Sequence, residues 1–490
     1  MQNADYAAAH LGDREESLMV LSGARIVIEE LVRQGVDTIF GYPGGYVIDI
    51  YDELYKNSHR ITHILTAHEQ GAAHAADAYA RVSGKVGAVI ATSGPGATNL
   101  VTGIANAYLD STPVVFITGN VPLPMLGGDS FQEIDILGVT LPIVKHSYIV
   151  KNIKYLQRTL AEAFLIAGTD RKGPVLVDIP KCVQLSEYEY DPDLYVPKSA
   201  HAQKPSDLSG LDRALEAIDK HSQPFIYCGG GVAAAGAGPA VMELSTKIGA
   251  PVGMSMMGVG SIPHSFELNL GMCGMHGRYA STVANSESDL IIALGVRFSD
   301  RATGNKREYA KNSEVIHVDI DAAEIGKNVT PDVSLRGDLK EILPLLIERT
   351  QPRKNSAWLD RILKLKAGDN EPLSDEFSPR NIISRINASC DDETIVATDV
   401  GQHQMWVAQY YRFEKPRKLI ASGGLGAMGF GLGAAIGASI AAGRKRVVLF
   451  TGEGSFGMNL TELATAVTQN LPITIVILNN GVLGMVRQWQ

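Results

Sequence analysis

The stretch Arg446–Asn459, RVVLFTGEGSFGMN, decides the fold class of this chain. A short apolar run comes first, and a glycine-rich loop follows it and opens a helix. Apolar runs this short, without alternating polar residues, predict strands that are covered on both faces, as in parallel sheets. A loop between such a strand and a helix points its backbone amides at an anion. The stretch therefore predicts one strand–loop–helix unit of an α/β domain with an anion site.

Similar apolar runs recur along the chain and predict further buried strands. They are Val86–Thr92, Pro113–Gly119, Pro174–Pro180, Pro224–Gly230, Asp289–Gly295, Val315–Asp321, Thr394–Gly401 and Ile473–Asn480. Helical patterns such as Gln70–Val82, Asp207–Lys220 and Leu460–Thr468 alternate with them. This alternation predicts doubly wound parallel sheets, in which ligands bind at the carboxyl ends of the strands.

Two aperiodic polar segments, Glu187–Ser206 and Gln351–Pro379, are interpreted as linkers. They predict three domains, at 1–186, 206–350 and 376–490. A length of 490 residues agrees with this number at about 150 residues per domain.

Composition excludes several classes of protein. A hydrophobic fraction of 45% argues against disorder, and a net charge of −9 gives no general attraction to nucleic acid or to an anionic membrane. The four scattered cysteines form no CxxC pair, which argues against a zinc site or a disulfide framework and favours the cytoplasm. The N-terminus has no leader pattern, and the longest small-apolar stretch, Phe430–Gly443, is too short to span a bilayer.

Glu69, in Ala67–Gly71 (AHEQG), begins a helix with a face of glycine and alanine, and the loop Ser93–Asn99 (SGPGATN) follows. Small residues allow a flat ligand or another helix to approach closely. The carboxylate is either a partner of the helix dipole or a buried proton-transfer group, and the residues alone leave both open.

The C-terminal third holds the residues for a phosphate and a metal. Gly401, Gln402 and His403 follow a strand and either donate to a phosphate or cap a helix. Glu453 and Asn480 each end a strand and offer hard oxygen ligands. Mg²⁺ commonly takes one or two such ligands together with phosphate oxygens.

In the middle third of the chain, a glycine or an acidic residue stands at the end of each of several successive predicted strands. The segments are Gly229–Gly231, Gly274–Gly277, Gly295–Gly304, Asp319–Asp321 and Gly337-Asp338. They indicate either a nucleotide pocket or a set of turn glycines and helix caps.

Taken together, the motifs resemble those of the thiamine-diphosphate enzymes, and most closely the catalytic large subunits of the acetolactate (acetohydroxyacid) synthase family. The resemblance covers about Gly23 to Gln490 and is carried by AHEQGAAHAADAYAR, SGPGATN, the Phe131–Glu133 stretch, KHSY, GPVLVDIPK, RFSDRATG, DVGQHQMW and GMVRQWQ. It implies a pyrimidine-binding N-terminal domain, a central FAD-binding domain and a C-terminal domain for diphosphate and Mg²⁺.

The resemblance also implies an activity and partners. The expected transferase decarboxylates pyruvate and joins the hydroxyethyl unit to a second pyruvate or to 2-ketobutyrate. The products, 2-acetolactate and 2-aceto-2-hydroxybutyrate, lead to branched-chain amino acids. The expected cofactors are thiamine diphosphate, Mg²⁺ and FAD. A homodimer or dimer of dimers is expected, and whether a small regulatory subunit binds stays open.

Site residues carry over position by position. Glu69 matches the glutamate that binds the pyrimidine ring. Met428 matches the residue that bends the cofactor, although Met428 taken alone is more simply explained as a side chain that fills space in the core. Gln132 and Lys181 match the substrate entrance, and Met485 and Trp489 match the acceptor site. The residues at diphosphate-binding positions are Gly401, Gln402, His403, Gly452, Gly454, Ser455 and Met458. The residues at metal-binding positions are Glu453, Asn480 and Val482. The FAD positions are Arg171, Gly229, Gly230, Gly274, Met275, His276, Gly295, Arg297, Arg301, Asp319, Ile320 and Asp338.

Some positions depart from the family pattern. Glu453 stands where the family has Asp, and its longer side chain predicts weaker metal and cofactor binding. The family also continues beyond the position of Gln490, so the C-terminal domain is expected to be incomplete. Two alternatives follow: a related flavin-containing enzyme, such as a pyruvate oxidase or glyoxylate carboligase, and a non-catalytic remnant.

Overall fold

Three parallel sheets carry the fold in the computed structural model, which describes residues 19–194, 205–369 and 376–490. The predicted α/β class with doubly wound parallel sheets is confirmed. Parts of both predicted linkers lie outside the described residues.

The first sheet has the order β3-β2-β4-β5-β7-β6, and every neighbouring pair in it is parallel. Strands β1 and β8 form a separate antiparallel ribbon. The strands are β1 Met19–Ser22, β2 Thr38–Tyr42, β3 Thr62–Leu65, β4 Gly87–Ala91, β5 Val114–Asn120, β6 His146–Ile149, β7 Val175–Pro180 and β8 Glu187–Tyr190. The helices are α1 Gly23–Arg33, α2 Ile48–Lys56, α3 Glu69–Ser83, α4 Pro95–Asn99, α5 Val101–Leu109, α6 Ile136–Thr140, α7 Leu156–Gly168 and α8 Lys181–Leu185.

The second sheet is also parallel throughout, with the order β11-β10-β9-β12-β13-β14. Its strands are β9 Pro224–Cys228, β10 Val252–Met254, β11 Asn269–Met272, β12 Leu290–Leu294, β13 Glu314–Asp319 and β14 Val333–Arg336. The helices of this part are α9 Leu211–Lys220, α10 Gly230–Ala235, α11 Gly238–Ile248, α12 Tyr279–Glu287, α13 Asp300–Thr303, α14 Leu339–Arg349 and α15 Ser356–Asp369.

The third sheet has the order β16-β15-β17-β18 and is parallel. Its strands are β15 Ile395–Thr398, β16 Leu419–Ile420, β17 Val447–Thr451 and β18 Ile473–Ile477. The helices in this part of the sequence are α16 Pro379–Ala388, α17 Gln402–Tyr410, α18 Phe430–Ala441, α19 Glu453–Met458, α20 Leu463–Thr468 and α21 Gly484–Trp489. Of these, α20 and α18 from Leu432 onward are grouped with the first sheet.

The chain packs as two units. One contains the first sheet together with Leu432–Arg444 and Asn459–Leu471, and the other contains the second and third sheets. Strands β4, β5 and β7 are buried along their whole length, which is why they read as continuous apolar runs. Helix α3 packs closely on α5, where a Cβ on Gly103 would lie 2.2 Å from the Ala73 Cβ.

The structure differs from the sequence prediction in three places. The first predicted linker contains strand β8, Glu187–Tyr190, which pairs with β1. The second predicted linker contains helix α15, whose Trp358 and Ile362 are buried beside the second sheet. The helix predicted to begin at Asp207 begins at Leu211, because the backbone of Asp207 instead pairs with Arg336. Within the described ranges, no helix has the length and apolar character needed to cross a bilayer.

Candidate functional site

Glu69 is the first residue of α3 and is 8% exposed. Its Oε2 accepts a hydrogen bond of 2.9 Å from Asn99 Nδ2, at the end of the SGPGATN loop. A Cβ on Gly96 would lie 3.2 Å from Glu69 Oε1, so glycine keeps space beside that oxygen. The arrangement therefore holds a buried carboxylate by one oxygen and leaves the other beside a residue without a side chain.

A second buried carboxylate, Glu462, holds the backbone that leads into Glu69. It accepts hydrogen bonds from Ala67 N at 3.3 Å and from His68 N at 3.0 Å. Thr465 Oγ1 donates to it at 2.7 Å. Burial raises its pKa. No signal in the sequence identifies this residue, because its two backbone donors lie 394 and 395 positions away along the chain.

Gln132 and Lys181 belong to the same unit as Glu69. Gln132 has a φ of +60°, and its carbonyl oxygen would lie 2.8 Å from a Cβ on Gly94. Lys181 forms an ion pair with Asp49 and donates to the Gly45 carbonyl at 3.3 Å. Gln132 and Glu69 thus both border the SGPGATN loop, and Lys181 borders the FGYPGG segment.

In the other unit, the ring of His403 lies between two glycines. Cβ atoms on Gly401 and Gly452 would lie 2.8 Å from its Cε1 and 3.1 Å from its Nδ1. Burial lowers the pKa of His403 to about 4, so the imidazole is neutral at pH 7. Its Nε2 is buried and has no hydrogen-bond partner among the described residues. A buried polar atom without a partner is suited to a bound ligand.

The candidate metal ligands follow β17 and β18: Glu453 is the first residue of α19, and Asn480 and Val482 lie on the loop between β18 and α21. Asn480 donates from Nδ2 to Gln402 Oε1 at 3.2 Å and accepts from Val482 N at the same distance. Glu453 is the single carboxylate in this set. No group of three or more His, Cys, Asp or Glu suited to a metal occurs in the described parts of the chain. Hard oxygen donors with one carboxylate fit Mg²⁺ shared with phosphate oxygens, and would not fit a metal that needs several protein anions.

Met428 lies beside this loop. A Cβ on Gly454 would lie 3.9 Å from Met428 Cε and 2.8 Å from Leu483 Cδ2. Ser455 Oγ donates to the Val400 carbonyl at 2.7 Å, which joins the loop to the end of β15. Met458 is 63% exposed, and Met485 lies in α21. The structure therefore brings Gln402, His403, Met428 and the glycine loop together.

Trp489 contacts Arg301, one of the residues expected to bind FAD. It is 65% exposed, and the Arg301 guanidinium lies over its ring, 5.7 Å from the centroid. Arg301 also contacts the Met275 sulfur at 3.8 Å. Burial lowers the pKa of the neighbouring His276.

The remaining flavin candidates lie at or after the carboxyl ends of parallel strands. They are Gly229 and Gly230 after β9, Gly274 after β11, Gly295 and Arg297 after β12, Asp319 and Ile320 at the end of β13, and Asp338 after β14. Gly229, Gly231 and Gly295 allow two strand ends to touch, since a Cβ on Gly229 would lie 1.9 Å from the Gly295 carbonyl oxygen. Arg171 belongs to the first unit, where it donates to Ser111 Oγ at 3.0 Å.

Three family models match the chain in order. They describe the thiamine pyrophosphate enzyme N-terminal TPP binding domain at residues 21–139, the central domain at 211–346 and the C-terminal TPP binding domain at 399–490. Their order agrees with the three predicted domains, whose bounds stay a prediction.

Curated relatives match almost the entire chain. The acetolactate synthase large subunit of Parasynechococcus marenigrum is 46% identical over 96% of this chain and 78% of its own length. Those of Corynebacterium glutamicum and Lactococcus lactis are each 44% identical, over 96% of this chain and 76% and 82% of their own lengths. The chain therefore belongs to the acetolactate synthase large-subunit family of thiamine pyrophosphate enzymes.

Proposed function

We propose that this chain is the catalytic subunit of an acetolactate synthase. It decarboxylates pyruvate and transfers the two-carbon unit to a second pyruvate or to 2-ketobutyrate, in the first common step of branched-chain amino-acid synthesis. The observation that carries the proposal is the buried Glu69 carboxylate, which is held by Asn99 at a helix start in a chain of this family.

Bound thiamine diphosphate supplies a carbon nucleophile and takes up the electrons that decarboxylation releases. Glu69 would hold and move a proton at Oε1, because Asn99 already occupies Oε2. Gln402 and His403 would bind the diphosphate. Glu453, Asn480 and the Val482 carbonyl would hold Mg²⁺, and the proposed partner is a second copy of the chain.

Two further assignments belong to the same proposal. The segments that follow the strands of the second sheet would hold FAD, because glycines and acidic residues lie at the carboxyl ends of those strands. Trp489 and Met485 would contact the acceptor 2-keto acid, while Gln132 and Lys181 would line its entrance. A cytoplasmic location is proposed with them, on the sequence features and on the absence of disulfides among the four cysteines.

The experiment is acetolactate formation from pyruvate by purified protein with thiamine diphosphate, Mg²⁺ and FAD. Glu69→Gln is expected to lower kcat by at least about 100-fold, since general acid–base catalysis contributes about 10²–10⁴-fold. Glu187→Gln, at an exposed glutamate of the same unit, is the control and is expected to retain full activity.

Three results would contradict the proposal. Acetaldehyde or acetyl phosphate as the sole product, or oxygen uptake with pyruvate, would indicate a related enzyme such as a pyruvate oxidase. FAD binding without thiamine diphosphate binding would indicate a non-catalytic remnant. Full activity of Glu69→Gln would remove the assigned role of that carboxyl.

A further inference from the structure

Asp399 is a buried carboxylate at the end of β15 to which the proposed function gives no role. It is 1% exposed, and it precedes the Gly401–His403 segment by two residues. A buried carboxylate must be satisfied by hydrogen bonds, so its partners show which parts of the chain it holds.

The Asp399 carboxylate gathers three separate segments of one unit. Its Oδ1 accepts from Val400 N at 2.9 Å and from Gly429 N at 2.8 Å. The Gly431 amide also donates to this carboxylate, and the Ser455 hydroxyl, which donates to the Val400 carbonyl, lies beside it. Thr451 Oγ1 lies 3.5 Å from Oδ2. One side chain therefore joins the end of β15, the turn before α18 and the glycine loop after β17.

The Asp399 carboxylate holds the turn that leads into α18 together with the start of that helix, whose second residue is Gly431. Gly429 and Gly431, two residues apart, both point their amides at Asp399, and Met428 stands next to this pair. Gly429 has a φ of +87°, a conformation that favours glycine. A Cβ on Gly431 would lie 3.0 Å from the Asp399 Cβ, so glycine at 431 permits the close approach. Met428 thus directly precedes a backbone amide that Asp399 binds.

We infer that Asp399 is a positioning residue for the cofactor: it fixes Met428 and the loop of Gly452–Ser455 relative to each other before thiamine diphosphate binds. The inference rests on the proposed function. Asp399 itself touches neither substrate nor cofactor in this scheme. Its loss would leave the diphosphate and metal groups present but misplaced, and binding would then have to order them.

The experiment measures the Kd of thiamine diphosphate by calorimetry in saturating Mg²⁺, using the full chain, together with the unfolding temperature of the cofactor-free protein. Asp399→Ala is expected to raise the Kd about tenfold or more, and Asp399→Asn, which keeps one acceptor oxygen, by less. The control is Asp391→Asn. That exposed carboxylate also binds nearby groups, Glu393 N at 3.1 Å and Thr394 Oγ1 at 2.8 Å, and its removal is expected to leave the Kd unchanged.

A wild-type Kd in folded Asp399→Ala would overturn the inference, even with a lower unfolding temperature, because that pattern indicates support of the fold alone. If the alanine variant yields no folded protein, Gly431→Ala decides. Its methyl group would push the turn away from Asp399, so a raised Kd is expected and a wild-type Kd refutes the inference. Failure of the wild-type chain to bind thiamine diphosphate would instead refute the proposed function.

Discussion

Gly71 is the residue whose replacement tests how Glu462 holds the start of α3. A Cβ at position 71 would lie 2.0 Å from Glu462 Oε1 and 2.4 Å from its carboxyl carbon. Glu462 is fully buried, so it has no solvent-filled space into which to move. Gly71→Ala is therefore expected to displace the carboxylate from Ala67 N and His68 N.

The magnitude follows from the bonds that would be lost. Two backbone amides donate to Glu462, at 3.3 and 3.0 Å, and hydrogen bonds to charged groups are worth about 1.5–3 kcal/mol each. Alanine is favoured over glycine inside a helix by up to about 1 kcal/mol, which offsets part of the loss. We expect a net destabilisation of about 2–5 kcal/mol that is confined to the start of α3.

Hydrogen exchange read by mass spectrometry on peptides that cover residues 65–80 measures this local opening. Gly71→Ala is expected to speed exchange at least tenfold. In the Glu462→Ala background the same substitution is expected to be neutral or slightly protective, because the obstructing carboxyl is gone. Gly45→Ala is the control, since no atom lies within 4 Å of its Cβ position. Equal effects of Gly71→Ala in both backgrounds would refute the reasoning.

Two further predictions concern other carboxylates. Burial raises the pKa of Asp178 to about 7, so between its ordinary value and pH 7 it is protonated in the folded chain and ionised in the unfolded chain. The free energy of unfolding of the wild type should therefore fall with rising pH, relative to that of Asp178→Asn, by about 1.4 kcal/mol per pH unit in that window. If the free energies of unfolding of the two proteins change with pH in parallel, the prediction is wrong. Glu453→Asp is expected to lower the thiamine-diphosphate activation constant, because the shorter side chain restores the family's metal geometry. The activity assay measures this constant, and an unchanged value would refute the prediction.

Much of the fold was predictable from local patterns. The nine short apolar runs became strands β4, β5, β7, β9, β12, β13, β15, β17 and β18 of parallel sheets. Helix α15 escaped prediction, because it stands in a segment whose prolines and many polar residues were taken as the sign of a linker. Trp358, Ile362 and Leu365 do recur at helical spacing, so the interpretation of this segment as an aperiodic linker was wrong.

The sequence by itself determined the family, the cofactor and the identity of the residues proposed to carry the chemistry, since those are fixed by short motifs in a fixed order. Only the tertiary structure showed which carboxylates hold those motifs in place. Glu462 accepts a hydrogen bond from Ala67, 395 positions away in the sequence, and Asp399 accepts one from Gly429, 30 positions away. An acid in a motif looks the same whether it faces solvent or buried amides. The difference arises when distant segments pack and remove water from the carboxylate, which then needs backbone donors that no local pattern specifies.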